Sequence, residues 1–386
     1  MLDTVALVLD SSMFAIINYD AFRPSARGLF QPPYYTLGSR GSLQCYLNPT
    51  KTDLLSGYYY PRLTLTKRAV SGGFQITLRI EFSVPKLIYK NNFDEITEKD
   101  FNLVLEILKS RLQEKGILLR KTKLKDIPLS KIDYAKNIVL EPFSSSRQII
   151  NELNKADMSL WLDLEVAKFR NAGYGIKYRN NSFELACYDK VKDLQKGKQS
   201  DKKVEEKDNA LQLSLLDEVL KPQQLEVFRV EVRLNSRLKI RQTFKSLDID
   251  AQPIFKDIFN DQIGKQVVQH YWAVLEEAYK LAEYSPNSPS KLFSELHSNN
   301  PDARLSSILK VMGIKQLINE LGVRGYRNII NNFSQASWVN SRKTLSKLSV
   351  PKTAWTPLSQ VSKSLVKFEP LKLDDYRSRL YSNSKH

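Results

Sequence analysis

Two stretches of the sequence alternate apolar and polar side chains, and this pattern constrains the fold more than any other feature. Residues 74–84 (FQITLRIEFSV) and residues 225–235 (LEVFRVEVRLN) place apolar side chains at every second position. A period of two predicts β-strands with one buried and one polar face. Such strands are typical of antiparallel sheets that use only one face to form a core.

The remaining patterns complete an α+β fold. Apolar residues at helical spacing predict a helix over residues 97–116, with Gly116 at its end, and a second helix over residues 145–156. Further strands are predicted at residues 5–9, 57–68, 129–139 and in a hairpin over residues 173–190 that turns at Asn180-Asn181. We therefore predict a mainly antiparallel sheet with helices on one face, followed by a smaller helical domain.

Composition predicts where the chain divides. Residues 1–244 carry the sheet pattern, interrupted at about residues 191–222 by a mixed-charge insert with few large apolar side chains. Residues 245–350 are helical in pattern, and residues 351–386, rich in Pro, Ser and Lys, resemble an extended basic tail.

The charge balance favours a polyanionic partner. Lys and Arg number 59 against 42 Asp and Glu, giving a formal net charge of +17, and basic surfaces bind nucleic acids by neutralising phosphates. The alternative is that the charge only aids solubility. Two cysteines without metal-ligand spacing, a strand-like start and no apolar run of membrane length lead us to expect a cytoplasmic protein with no membrane association.

Three acidic residues interrupt strand patterns and are the first candidate site residues. Glu81, Asp133 and Glu231 each lie in an apolar context. Buried carboxylates are costly without a cation, so three that converge on one sheet would hold a hard divalent ion. The alternative is that each acid is exposed and paired with a neighbour on its own strand: Arg79, Lys131 or Arg229.

A tyrosine at the end of the predicted hairpin is the candidate nucleophile. Tyr188 is followed by Lys190, which would lie on the same face if the strand continued. A tyrosine can attack phosphorus and form a covalent phosphotyrosine when the phosphate is polarised. The histidines His270, His297 and His386 are isolated, and no phosphate-binding glycine loop occurs, so histidine-based hydrolysis and nucleotide-driven activity have no support.

Several blocks, taken in order, are similar to a known family. They are MLDTVALVL at the start, RIEFSVPKLIYKNN from residue 79, LSKIDYA from residue 129, ELACYDKVKDLQ from residue 184 and VFRVEVRLNSRLK from residue 227. Together they resemble the gene II type rolling-circle replication initiators of filamentous phages and, more distantly, plasmid replication initiators.

This resemblance implies a nicking-joining nuclease that cuts one strand at a replication origin and stays linked to the 5′ phosphate. Tyr188 would be the nucleophile and Lys190 its assistant. The implied metal ligands are Glu81, Asp133 and Glu231, for which oxygen-only donors predict Mg²⁺ or Mn²⁺. Arg229 and Arg233 would contact phosphates of DNA or form ion pairs.

The expected partners are single-stranded and origin duplex DNA, with a host replication helicase and polymerase. Residues 310–345 resemble the family more loosely, and the two helical stretches joined near Gly322 and Gly325 would form either a helix-turn-helix for duplex DNA or a packing domain. Two other functions stay open: a transposase or relaxase with the same chemistry, and a non-catalytic DNA-binding regulator of replication.

Overall fold

The computed structural model confirms an α+β protein built on a large antiparallel sheet. It describes residues 1–30, 42–50, 52–53, 57–71, 73–120, 123–141, 144–158, 166–170, 173–197, 215, 220, 225–280, 282, 288–349 and 357–376.

Nine strands form the main sheet in the order β3-β4-β5-β1-β7-β11-β10-β9-β8, and every neighbouring pair is antiparallel. Strands β2 and β6 form a separate small sheet. The strands are β1 (Leu2–Asp10), β2 (Phe14–Ile16), β3 (Ser42–Leu47), β4 (Arg62–Val70), β5 (Gly73–Ser83), β6 (Ile117–Leu119), β7 (Leu129–Val139), β8 (Val166–Arg170), β9 (Gly175–Arg179), β10 (Phe183–Asp189) and β11 (Val227–Leu234).

The helices lie mostly in the second half of the chain. They are α1 (Arg27–Phe30), α2 (Val84–Tyr89), α3 (Phe101–Glu114), α4 (Ser146–Lys155), α5 (Lys190–Gly197), α6 (Arg237–Ser246), α7 (Phe255–Ile258), α8 (Asp261–Lys280), α9 (Pro289–Asn299), α10 (Leu305–Asn331), α11 (Gln335–Lys347) and α12 (Pro357–Lys367).

Local sequence signals explain several of these elements. Strand β7 has the predicted bounds, and the backbone N–H of Asn180 donates to the carbonyl of Phe183 at 2.9 Å, which closes the predicted β9–β10 hairpin. Helix α4 begins with a capping box in which Ser145 and Gln148 satisfy each other's backbone N–H groups.

The apolar face of the sheet packs against helices. The Tyr134 hydroxyl on β7 donates to the carbonyl of Ile258 at 2.9 Å, and the Tyr178 hydroxyl on β9 donates to the carbonyl of Leu153 at 3.1 Å. The ring of Phe183 on β10 stacks on Tyr271 of α8, with centroids 4.5 Å apart. Because alternate side chains point to opposite faces, this packing leaves the polar side chains of the same strands on the other face.

A single large hydrophobic core contains residues from both sides of the expected boundary at residue 244. Ile132 and Val232 of the sheet belong to it, as do Val267 of α8, Val311 of α10 and Leu358 of α12. The division into residues 1–244, 245–350 and 351–386 stays a prediction. The contacts show that helices from all three ranges share apolar surface with one another or with the sheet.

The C-terminal segment differs from the extended basic tail that composition suggested. Residues 357–367 form helix α12, in which Leu358, Val361 and Leu365 are buried. Beyond it, Leu371 and Leu373 belong to a second hydrophobic cluster. This packing is made by apolar residues at helical spacing. They are few within a short segment rich in Lys and Ser, so its overall composition does not indicate a buried helix.

Two further sequence predictions meet the structure only partly. Residues 191–197 of the expected charged insert belong to helix α5, whereas most of residues 198–222 lie outside the described part of the chain. The two helical stretches around residue 322 form α10, which is interrupted where Gly322 adopts a φ of 71°. Its use in reading duplex DNA stays a prediction.

Candidate active site

The polar face of the sheet brings the three acidic residues together. In the antiparallel register Asp133 of β7 lies opposite Arg233 of β11, and Glu81 of β5 lies opposite Ala6 of β1. All three acids line one cleft of about 440 Å³. Charged and tyrosine side chains that share this lining are Asp3, Tyr59, Arg62, Glu81, Lys86, Lys131, Asp133, Lys177, Tyr188, Lys190, Asp193, Glu231 and Arg233.

Tyr188 enters the cleft from strand β10, next to β11. Its hydroxyl donates a hydrogen bond to Oε2 of Glu231 at 2.8 Å. Burial, reinforced by the negative charge of Glu231, raises the pKa of Tyr188 well above its usual value. The phenol is therefore protonated at neutral pH, and its hydrogen bond to the Glu231 carboxylate fixes the direction of the hydroxyl.

Glu231 is held between two guanidinium groups of its own strand. Arg229 Nε donates to Oε2 at 3.1 Å, and Arg233 Nε donates to Oε1 at 2.7 Å. Burial alone would raise the pKa of Glu231, but the charges of Arg233 and Arg229 outweigh it and hold the pKa well below its usual range. The carboxylate is consequently ionised at neutral pH.

Arg229 is buried and acts as an ion-pair partner within the protein. Its Nη2 lies 2.8 Å from Oδ1 of Asp3, and its Nη1 donates to Oδ1 of Asn137 at 3.0 Å. Only 2% of the residue is exposed. Of the two roles that the resemblance implies for it, the structure therefore shows the ion pair. Arg233 is more accessible and also contacts Glu184, with Nη1 and Oε1 2.8 Å apart.

Lys131 links the other two acidic residues. Its Nζ lies 3.0 Å from Glu81 Oε1 and 3.0 Å from Asp133 Oδ2, and Arg79 pairs with the second oxygen of Glu81 at 2.6 Å. Burial raises the pKa of Asp133 to about 7, although Lys131 and Arg233 oppose this shift. The Oδ1 atom of Asp133 is buried and has no hydrogen-bond partner among the described residues.

Lys190 reaches the site differently from the sequence expectation. Strand β10 ends at Asp189, and Lys190 is the first residue of helix α5. The strand therefore does not continue to Lys190, as the prediction that it shares a face with Tyr188 assumed. Its Nζ nevertheless lies 5.9 Å from the ring centroid of Tyr188 and 5.6 Å from that of Phe93. Burial, followed by the charge of Arg229, lowers the pKa of Lys190 to about 7.

Several polar residues of this site escaped sequence reasoning. Asp3, Lys86 and Lys177 line the cleft, and Asn137 holds Arg229. Asp3 and Asn137 interrupt the strand-like stretches that contain them, which is the signal that singled out Glu81 and Asp133. Lys86 carried no comparable signal, because a lysine after Pro85 at a helix start is ordinarily exposed, whereas this one is buried.

The cleft has oxygen ligands that suit a divalent cation, but basic side chains already occupy most of them. The oxygen donors of Glu81, Asp133 and Glu231 suit Mg²⁺ or Mn²⁺, and the partnerless Asp133 oxygen offers a free ligand position. The other oxygens of these acids are engaged by Lys131 and by arginines. Among the described residues no three acidic, histidine or cysteine side chains lie together at metal-binding spacing, so metal binding requires these cations to withdraw.

The chain was compared with protein families, curated proteins and solved structures. No family model, no curated protein and no solved structure matches the chain. The resemblance to gene II type initiators therefore stays a prediction based on sequence blocks. Within the described part of the chain, no helix is both long and apolar enough to cross a membrane.

Proposed function

We propose that this protein is a DNA nicking and joining enzyme whose nucleophile is Tyr188. The observation that carries the proposal is the hydrogen bond from the Tyr188 hydroxyl to Glu231, inside a cleft lined by both acidic and basic side chains. A nucleophile whose hydroxyl is oriented by a neighbouring group is typical of sites for covalent catalysis. The basic residues of the same cleft, Arg62, Lys86, Lys177 and Arg233 among them, supply charge for a phosphodiester.

In the proposed reaction the Tyr188 oxygen attacks the phosphorus, and the phenolic proton is released to solvent water. The bond from phosphorus to the 3′ oxygen breaks, and this oxygen takes up a proton from solvent water and leaves as a 3′ hydroxyl. The 5′ phosphate remains on Tyr188 as a phosphodiester. Attack by a 3′ hydroxyl on this phosphotyrosine reverses each step, so strand joining needs no outside source of energy.

Charge in the cleft decides how readily this step proceeds. Arg233, which pairs with Glu231 and Glu184, and Lys190, whose Nζ lies 5.9 Å from the Tyr188 ring centroid, would bind phosphate oxygens as negative charge builds. A Mg²⁺ or Mn²⁺ ion is part of the proposal. Glu81, Asp133 and Glu231 would hold it once the cations paired with them withdraw, and it would take charge from the phosphate. Arg229 orients Glu231 and neutralises Asp3.

The sequence resemblance supports a narrower function, initiation of rolling-circle replication at an origin. The net charge of +17 fits single-stranded and duplex DNA as substrates, and a free 3′ hydroxyl suits extension by a host polymerase after a helicase opens the duplex. A transposase or relaxase would use the same cut-and-join step, and only the cognate DNA site separates these functions.

The test is incubation with labelled single-stranded DNA in Mg²⁺, Mn²⁺ or EDTA, followed by denaturing electrophoresis. We expect wild-type protein to form a covalent protein–DNA band in the presence of metal, and Tyr188→Phe to form none while still binding DNA. Tyr178→Phe is the matched control, because this tyrosine lies on the opposite face of the sheet and donates to Leu153.

A non-catalytic DNA-binding regulator is the second candidate. The observation that favours it is the pairing of the acids with Lys131, Arg229 and Arg233, which would leave a charge-balanced structural network. This function predicts DNA binding that is unaffected by metal and no covalent band with any origin sequence. Such a result would replace the proposed enzyme with a binding protein.

A further inference from the structure

Three consecutive tyrosines lie between the charged cleft and helix α3. Tyr59 is buried and lines the cleft, and its hydroxyl accepts a hydrogen bond from the backbone N–H of Ser83 at 2.9 Å. Tyr58 is 47% exposed and Tyr60 is partly exposed. Tyr58 and Tyr60 are the chain neighbours of Tyr59, so their Cα atoms lie about 3.8 Å from that of a residue that lines the cleft.

Basic side chains lie over both of these rings. The guanidinium carbon of Arg111 lies 4.2 Å from the ring centroid of Tyr58 and 5.4 Å from that of Tyr60. Lys90 Nζ lies 5.4 Å from the Tyr58 centroid, and Lys115 Nζ lies 4.3 Å from the Tyr60 centroid. We call Tyr58, Tyr60, Lys90, Arg111 and Lys115 the tyrosine platform.

The Tyr60 ring of the platform is fixed in place by a hydrogen bond of its hydroxyl. The Tyr60 hydroxyl donates to Glu114 Oε2 at 2.7 Å, and Glu114 also pairs with Arg111 at 2.6 Å. Lys115 pairs with Asp53 at 2.6 Å. A preordered ring loses little conformational freedom on binding, which favours affinity.

We propose that the tyrosine platform stacks unpaired bases of a DNA single strand whose backbone continues into the cleft. Exposed aromatic rings next to cations are the features with which proteins hold single strands without reading their sequence. Duplex DNA fits poorly, because its bases are stacked on one another and show only their edges. The proposal deepens the proposed function, on which it rests, by stating how substrate is held beside Tyr188.

The test is fluorescence anisotropy with labelled oligothymidylate of about 20 nucleotides, long enough to cover more than one stacking position. EDTA is present throughout, so that binding is measured without metal-dependent cleavage. We expect Tyr58→Ala to weaken binding about 10-fold, the size of effect expected when one stacking ring is removed. Tyr58→Phe, which keeps the ring, should bind like wild type.

Phe74 provides a matched control. It is also an exposed aromatic residue with a cation over its ring, since Lys67 Nζ lies 5.0 Å from the centroid. Phe74 lies on the same face of β5 as the buried Leu78 and Ile80. This is the apolar face, opposite the cleft. Phe74→Ala should leave the affinity for oligothymidylate unchanged.

An abasic strand of the same length separates stacking from charge. Wild type should bind it about 10-fold more weakly than oligothymidylate, and Tyr58→Ala should show a smaller difference between the two strands. Equal affinities of wild type and Tyr58→Ala for oligothymidylate would overturn the platform and leave the nicking function standing. Failure of the wild type to bind any single strand would overturn both.

Discussion

Buried charges around Tyr188 form one continuous network. Asp3, Arg229 and Glu231 are each at most 6% exposed and are connected by contacts of 3.1 Å or less. A buried ion pair contributes little net stability, because desolvation offsets the attraction between its charges. We infer that this network is retained for what it does to Tyr188 and Glu231, namely to keep a carboxylate ionised next to a protonated phenol.

Lys190 offers a direct test of how costly this burial is. Its pKa in the folded protein is about 7 against 10.5 in the unfolded chain, so between these values the unfolded chain binds more protons. The free energy of unfolding therefore rises with pH from about 7 to about 10.5 on account of this residue. Below pH 7 the full cost of burying the charged amine remains.

We expect Lys190→Met to be more stable than wild type at pH 6, and this advantage to shrink by roughly 2–4 kcal/mol by pH 10. Urea unfolding at several pH values measures the difference. Lys109→Met on α3, where the lysine is exposed, should show no comparable pH dependence. A gap between Lys190→Met and wild type that stays constant with pH would contradict the lowered pKa.

Helix α10 owes its interruption to one glycine. Gly322 has a φ of 71° and a ψ of 167°, a conformation that side chains with a Cβ rarely adopt. The added Cβ of an alanine would make ordinary van der Waals contact with the Cα and carbonyl oxygen of Lys155 at 3.5 Å, so the cost lies in the backbone conformation. The break thus lets α10 pack against the end of α4.

Gly322→Ala should therefore lower the free energy of unfolding by about 1–2 kcal/mol. Gly313→Ala, in a regular part of the same helix with nothing within 4 Å of the added Cβ, should raise it by up to about 1 kcal/mol. Thermal or urea unfolding of the two variants gives the signs. Stabilisation by both substitutions would show that the interruption at Gly322 is dispensable.

At the scale of the whole molecule, periodicity predicted far more than composition did. The alternation in residues 74–84 and 225–235 predicted both the sheet and the face on which Glu81 and Glu231 lie, because a strand's geometry determines which side chains share a face. The partners of these acids depend on the register between distant strands and on long flexible side chains such as that of Lys131, which local sequence does not encode.

The C-terminal segment shows the limit of compositional reasoning most plainly. Trp272 Nε1 of α8 donates to Ser362 Oγ of α12 at 2.9 Å, and the backbone N–H of Leu371 donates to Glu95 Oε2 at 2.9 Å. A segment rich in Lys and Ser therefore completes the core. Its packing depends on partners roughly 90 and 280 residues away in sequence, and no local pattern predicts such distant contacts.

A chain ending at residue 349 should consequently lose cooperative folding. Removing the buried Leu358, Val361 and Leu365 alone costs roughly 5 kcal/mol, comparable with the total stability of many domains. A chain ending at residue 376 keeps these contacts and should unfold like the full-length protein. Calorimetry distinguishes the two truncations, and an unchanged transition in the shorter one would restore the extended-tail interpretation.

The measurement that tests the central claim most directly is the location of the covalent bond to DNA. After reaction with single-stranded DNA and Mg²⁺ or Mn²⁺, nuclease and protease digestion followed by mass spectrometry identifies the peptide that carries the nucleotide. We expect a phosphodiester on Tyr188 and on none of the other tyrosines among the chain's 18. A nucleotide on any other residue, or an unmodified protein after strand cleavage, would contradict it.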